Sequence, residues 1–166
     1  ETLKRNGHVG VINADVADVD YSPWRGHVAL LSGGPPCQPF SAGGLKRGAA
    51  DSRNGWEATI EAVRAVKPRA VLFENVRGML SPRFDEYRSN ITQQLTNSGY
   101  SVRWLGLDAA DYGVPQHRSR VFCIGFLDEA AWEAFELPPK VKRWATLRDV
   151  LLRLGSPNGR NRHEVR

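Results

Sequence analysis

Cysteine is scarce in this chain. Cys37 and Cys123 are its two thiols, too few for a disulfide scaffold or a four-thiolate zinc site. The four histidines are scattered, with no close carboxylate cluster beside them, so no metal centre is expected. Long apolar runs are lacking too. None approaches the ~20 residues that a membrane helix needs. No secretory signal is recognisable, which leaves a reducing, cytoplasmic setting as the expectation. Glu1 rather than Met opens the sequence, as expected of a piece of something longer. Apolar residues make up 41% and charged residues 25% of the chain, ordinary usage that excludes disorder and collagen-like structure.

What is present is enough for one domain with a real core, at 166 residues. The net charge of +5 is unevenly placed: −1 over residues 1–30, zero over 31–139 and +6 over 140–166. A nucleic-acid footprint and a solvated basic tail both account for that distribution.

The pattern alternates between strands and helices. Residues 8–14 form a β-rich run ending at Asp15. Residues 27–32 and 70–73 are nearly unbroken apolar runs, stopped by Gly33-Gly34-Pro35-Pro36 and by Glu74-Asn75. Such runs suit strands covered on both faces, as in a parallel sheet. Trp56, Ile60 and Val63 share one helical face, and that helix should end before Pro68. Phe84, Tyr87, Ile91 and Leu95 make a second stripe, closed by Gly99. Later strands are expected at 101–107 and 121–126, and a helix at 146–154, with 155–166 poorly ordered. The glycine-rich stretch 43–55 reads as a mobile loop. The βαβα order predicts an α/β, doubly wound sheet with ligands outside the carboxyl ends of its strands.

Three stretches carry chemistry. In Pro35-Pro36-Cys37-Gln38, a fixed turn after a buried strand holds a cysteine where a thiolate nucleophile needs to be; the competing reading is a buried structural thiol. Glu74, at the end of the next apolar run, should be poorly solvated and so inclined to carry a proton it can donate. A capping or salt-bridging glutamate is the plainer reading, and Glu74 gains weight because adjacent parallel strands would bring it near Cys37. In Gln116-His117-Arg118-Ser119-Arg120, alternation puts Gln116, Arg118 and Arg120 on one face and His117 and Ser119 on the other. Arginine fits planar acceptors such as a base carbonyl or a phosphate, although a surface ion-pair strand gives the same pattern.

Taken together, Pro35-Pro36-Cys37-Gln38, Glu74-Asn75-Val76 and Gln116-x-Arg118-x-Arg120 resemble the cytosine-5 DNA methyltransferase family, in its order and at compatible spacings. Asp51-Ser52-Arg53-Asn54-Gly55 is similar to the end of that family's catalytic loop. Thr146-Leu147-Arg148-Asp149 is similar to the segment leading to its target-recognition region. The resemblance implies a partial Rossmann-like S-adenosylmethionine-dependent methyltransferase sheet lacking its first strands. It implies Cys37 as the nucleophile toward carbon 6 of a flipped cytosine in duplex DNA, and Glu74 on ring nitrogen 3 and the exocyclic amine. Arg120 would bind the base carbonyl oxygen and Arg118 would order the loop or backbone. The 43–55 loop would close over the site.

For the cofactor, S-adenosylmethionine, the resemblance implies contacts from Asp15, Val16, Pro36 and Trp56. Trp56 stands where the family usually has a smaller aliphatic or an aromatic residue, and it is equally a helix-start core residue. The family's glycine-rich turn, its acidic ribose ligand, its target-recognition region and its closing cofactor motif find no counterpart in the sequence. Residues 1–137 are therefore expected to be a partial catalytic domain, and 138–166 a basic connector toward an absent recognition region. The chain alone is expected to be inactive, its partners being duplex DNA and the flanking parts or a complementing chain. Without the first strands, unpaired edges are expected at 9–14 and 27–32. A tRNA cytosine-5 methyltransferase and a non-catalytic nucleic-acid-binding remnant are the alternatives. Ser41 in place of Thr leans toward DNA.

Overall fold

The computed structural model describes residues 2–36 and 55–152. Four strands form one mixed sheet in the order β1-β2-β4-β3: β1 Leu30–Gly33, β2 Ala70–Val76, β3 Ser101–Asp108 and β4 Ser119–Phe126. The helices are α1 Thr2–Arg5, α2 Trp56–Val66, α3 Asp85–Asn97, α4 Glu129–Ala134 and α5 Leu147–Leu151. β1 and β2 are parallel, while β4 runs antiparallel to both β2 and β3.

The periodic segments form the elements their spacing predicts. α2 buries Trp56, Ile60 and Val63. It ends at Val66 ahead of Pro68, with Lys67 in the left-handed region at φ 49°. α3 buries Ile91 and Leu95, and Gly99 turns the chain with φ 97°. Thr146 caps α5 reciprocally with Asp149 over Leu147–Leu151, and the expected end of this helix at 153–154 lies outside the described residues. The expected loop, apart from Gly55, and the 155–166 tail lie outside the described residues.

β1, β2 and β3 advance across the sheet in one direction, with β4 filling the gap between the last two. Crossovers of a single hand then deliver α2 and α3 to the same face. There Val71, Phe73, Val121 and Cys123 meet Trp56, Ile60, Val63, Ile91 and Leu95. The structure is thus one half of a doubly wound core, and two corrections follow. The sheet is not parallel throughout, because β4 returns between its neighbours. Among the described residues the strands are not covered by helices on both faces: α4 and the residue after it meet the second face at Phe126, through Trp132 and Phe135, and at Arg103, which lies over the Trp132 ring.

The expected strand at 9–14 does not form. Val9 is 95% exposed and Ile12 55%. Among the described residues no strand lies beside this segment to take its backbone hydrogen bonds, and β propensity alone cannot supply them. Asp15 therefore ends no strand: it caps the 3-10 turn Val16–Asp18, accepting from the Ala17 N–H. A single apolar edge remains on that side of the sheet, at β1, where Leu30 is 52% exposed. Among the described residues no helix is long and apolar enough to cross a membrane.

Candidate active site

The carboxyl end of β2 and the start of β4 build the site. Glu74 is paired with Phe122, and Val76 with Arg120, so Glu74 and Arg120 stand on one face, two residues apart along the ladder. Arg120 Nε lies 2.8 Å from Glu74 Oε1, and Arg118 Nη2 lies 3.8 Å from the same oxygen. A second Arg120 nitrogen, Nη1, donates to the Ser119 carbonyl at 2.8 Å. The alternation expected across 116–120 is realised over 117–120. Both arginines face Glu74, whereas Ser119 and His117 face Asp108 on the other side.

Solvation of Glu74 departs from expectation. Its side chain is 37% exposed and ion-paired, not sealed in apolar surroundings. The antiparallel entry of β4 brings two guanidiniums to a strand end that the local sequence marks only as apolar.

Asp108, which sequence reasoning missed, orders this arrangement. Its Oδ2 accepts from Ser119 Oγ at 2.6 Å, and its Oδ1 accepts from the Ala110 and Arg118 backbone N–H groups at 3.0 and 3.2 Å. The Ser119 hydroxyl, then the Ala110 N–H, hold the Asp108 carboxyl below the usual carboxylate range. That one carboxylate pins the Arg118 backbone and the Ser119 side chain between the two arginines. An Asp at a strand end before Ala-Ala was the available signal, since such a side chain closes a local turn.

The approach to Cys37 runs alongside Glu74. Asn75, 2% exposed, donates through Nδ2 to the Pro35 carbonyl at 3.1 Å. A Cβ on Gly34 would lie 3.7 Å from Glu74 Oε2, and one on Gly55 would come within 2.4 Å of Pro36 Cδ. Residues 34–36 therefore pass between the end of β2 and the start of α2. Cys37 itself lies outside the described residues. A cleft of about 210 Å³ opens beside Glu74, lined also by Leu107, Tyr112, Arg118, Arg120 and Phe122.

The four residues expected at the cofactor are placed differently from one another. Asp15, Val16 and Pro36 are exposed, and the Val16–Asp18 turn packs on α2. Trp56 is 1% exposed, set edge-on to Phe73 at 5.8 Å and tilted against Trp104 at 5.5 Å. It fills the core under the helix start. No group of metal-ligating side chains occurs among the described residues.

A family model for C-5 cytosine-specific DNA methylases matches residues 1–163. The chain belongs to this family. Within the C-5 methylases, it is 38% identical over 149 residues to the Type II methyltransferase M.NgoMIV of Neisseria gonorrhoeae, covering 89% of this chain and 47% of that protein. It is 42% identical over 133 residues to the Type II methyltransferase M.NaeI of Lentzea aerocolonigenes, covering 78% of this chain and 32% of that protein. The solved structure of the Entamoeba histolytica methyltransferase EhMeth shares the fold, with a TM-score of 0.65 at 16% identity over 86% of this chain and 45% of that one. The chain spans less than half the length of these methylase relatives.

Proposed function

We propose that the protein containing this chain transfers a methyl group from S-adenosylmethionine to carbon 5 of cytosine in duplex DNA, as the modification partner of a restriction–modification pair. The observation that carries this reading is the Glu74–Arg120 pair, 2.8 Å apart, beside the backbone leading to Cys37.

Cytosine carbon 5 is a weak nucleophile. Addition of the Cys37 thiolate to carbon 6 makes the ring electron-rich at carbon 5. The charge created by attack builds on ring nitrogen 3, where the protonated Glu74 carboxyl donates its proton while its other oxygen accepts from the exocyclic amine. Arg120 spends Nε on Glu74 and Nη1 on Ser119. Nη2, which has no partner among the described residues, is left for the base carbonyl oxygen. Arg118 holds the same carboxylate from farther out and orders the neighbouring backbone. Once carbon 5 carries the methyl group, loss of its proton to water lets the thiolate leave and restores the aromatic ring. The target carbon is stacked inside a duplex, so the base is flipped into the cleft.

S-adenosylmethionine supplies the methyl group as an electrophile when bound. The exposed Asp15 carboxylate and the apolar Val16 and Pro36 surfaces fit an amine and a flat ring edge. Trp56 supports that wall from within the core. Residues 138–166 serve as the basic connector to a target-recognition region, and the chain by itself does not turn over.

The test is to offer the full-length protein duplex DNA carrying 5-fluorocytosine, with a tRNA substrate as a second arm. A covalent adduct on the Cys37 peptide by mass spectrometry, with DNA only, is expected. An adduct on Cys123, or none from an active enzyme, would overturn the nucleophile. Trapping on tRNA alone would overturn the DNA reading.

A further inference from the structure

The 3-10 turn Ala109–Tyr112 touches two parts of the molecule at once. Toward the sheet, Ala109 and Tyr112 line the cleft beside Glu74. Toward solvent, Asp111 holds the departing chain by three separate bonds. Its Oδ2 accepts from Lys140 Nζ at 2.6 Å, its Oδ1 from Trp144 Nε1 at 3.0 Å, and its carbonyl from the Val141 N–H at 2.8 Å.

Supporting contacts surround this hub. Val141 covers Gly113, where a Cβ would meet Val141 Cγ1 at 3.7 Å, and the Trp144 ring stands edge-on to His117 at 4.6 Å. The Asp111 side chain is 17% exposed, so its charge is largely committed to the protein. The hydrogen bond from Lys140 holds the Asp111 carboxyl below its ordinary range, and Asp111 in turn raises Lys140.

We infer that Asp111 is a positioning residue that fixes the direction in which the chain leaves the catalytic sheet, and so sets how the DNA-contacting region beyond it faces the Glu74 cleft. The inference rests on the methyltransferase reading above. Charge-assisted bonds from a rigid turn suit this role, because a segment tethered at 140, 141 and 144 loses most of its freedom to swing. Lys140 and Trp144 lie 29 and 33 residues beyond Asp111. The tether therefore spans the whole β4–α4 excursion rather than closing a local turn.

The experiment compares the full-length protein with Asp111→Ala, Asp111→Asn and the double variant Asp111→Asn with Lys140→Gln. Two readouts are taken: steady-state methylation kinetics, and hydrogen exchange over residues 140–152. Asp111→Ala should speed exchange in 140–152 while β2 and β4 stay protected. It should raise KM for duplex DNA about tenfold, with kcat within about twofold, as loss of a charge-assisted bond that positions substrate predicts. The double variant, whose amides can pair without charge, should recover most of both. Unchanged exchange in 140–152 would overturn the tether. A fall in kcat together with loss of protection in the sheet would overturn the positioning role in favour of a purely structural one. If the wild-type protein fails to methylate cytosine, the methyltransferase reading fails, while the exchange comparison still decides whether Asp111 tethers the segment.

Discussion

Arg120 reaches Glu74 diagonally across the β2–β4 ladder: Glu74 is paired with Phe122 and Arg120 with Val76, yet Nε and Oε1 are 2.8 Å apart. The carboxylate is thereby aimed by a neighbouring strand and not by its own. Glu74→Gln keeps the shape but weakens protonation of the ring nitrogen. In the full-length protein it should lower methyl transfer by ~10²–10⁴-fold with little change in duplex affinity. Arg120→Ala should hurt transfer more than binding. If both variants lose only salt-dependent affinity, the arginine is a phosphate contact.

Trp56 tests the difference between a ligand wall and a core. Buried between Phe73 and Trp104, it should cost ~3–5 kcal/mol of folding stability when cut to alanine. Denaturant unfolding of Trp56→Ala beside Trp56→Phe would measure this. A variant of unchanged stability but weakened cofactor binding would return Trp56 to the pocket.

Tyr100 donates its hydroxyl to the Pro68 carbonyl at 2.6 Å, and burial pushes its pKa up to about 12. The folded state thus keeps a proton that the unfolded chain releases near pH ~10. This contribution is complete below about pH 10 and is lost as pH rises toward about 12. Tyr100→Phe should cost about 1 kcal/mol at neutral pH and flatten that alkaline limb. An alkaline limb identical to wild type would contradict the assignment.

Asp108 contributes on the acid side. Its carboxyl is held below the ordinary range by Ser119 and Ala110. Its contribution is therefore present above the unfolded value of ~3.9 and disappears as pH falls through the lower folded value. Urea unfolding followed from neutral pH into the acid range should show a shallower acid limb for Asp108→Asn. The same variant should loosen the Arg118 backbone, visible as faster amide exchange there. An equally steep limb in the variant would place the acid sensitivity elsewhere.

Cys123 is fully buried in β4, and burial pushes its thiol pKa up to about 12. A thiol reagent near neutral pH should leave it unmodified until denaturant is added, while the proposed nucleophile Cys37 takes label in the native protein. Native labelling of Cys123 read by peptide mass spectrometry would contradict its placement in the core.

Local sequence determined the elements whose own residues carry the pattern. The stripes of α2 and α3 and the apolar runs of β2 and β4 were legible because burial on one face repeats at the helix or strand period. The split of Arg118 and Arg120 from His117 and Ser119 was legible for the same reason. What no local pattern contains is which strand lies beside which. The antiparallel insertion of β4 put Arg120 on Glu74 and left that carboxylate half open to water, where β2 read alone predicted poor solvation. The β-rich run at 9–14 failed as a strand for a related reason: a strand is stable only when a neighbour accepts its backbone hydrogen bonds. Asp111 needed the fold most. Its partners at 140 and 144 meet it only after the chain has passed through β4 and α4, and a contact of that kind is fixed by the packing of the whole sheet rather than by the residues around it.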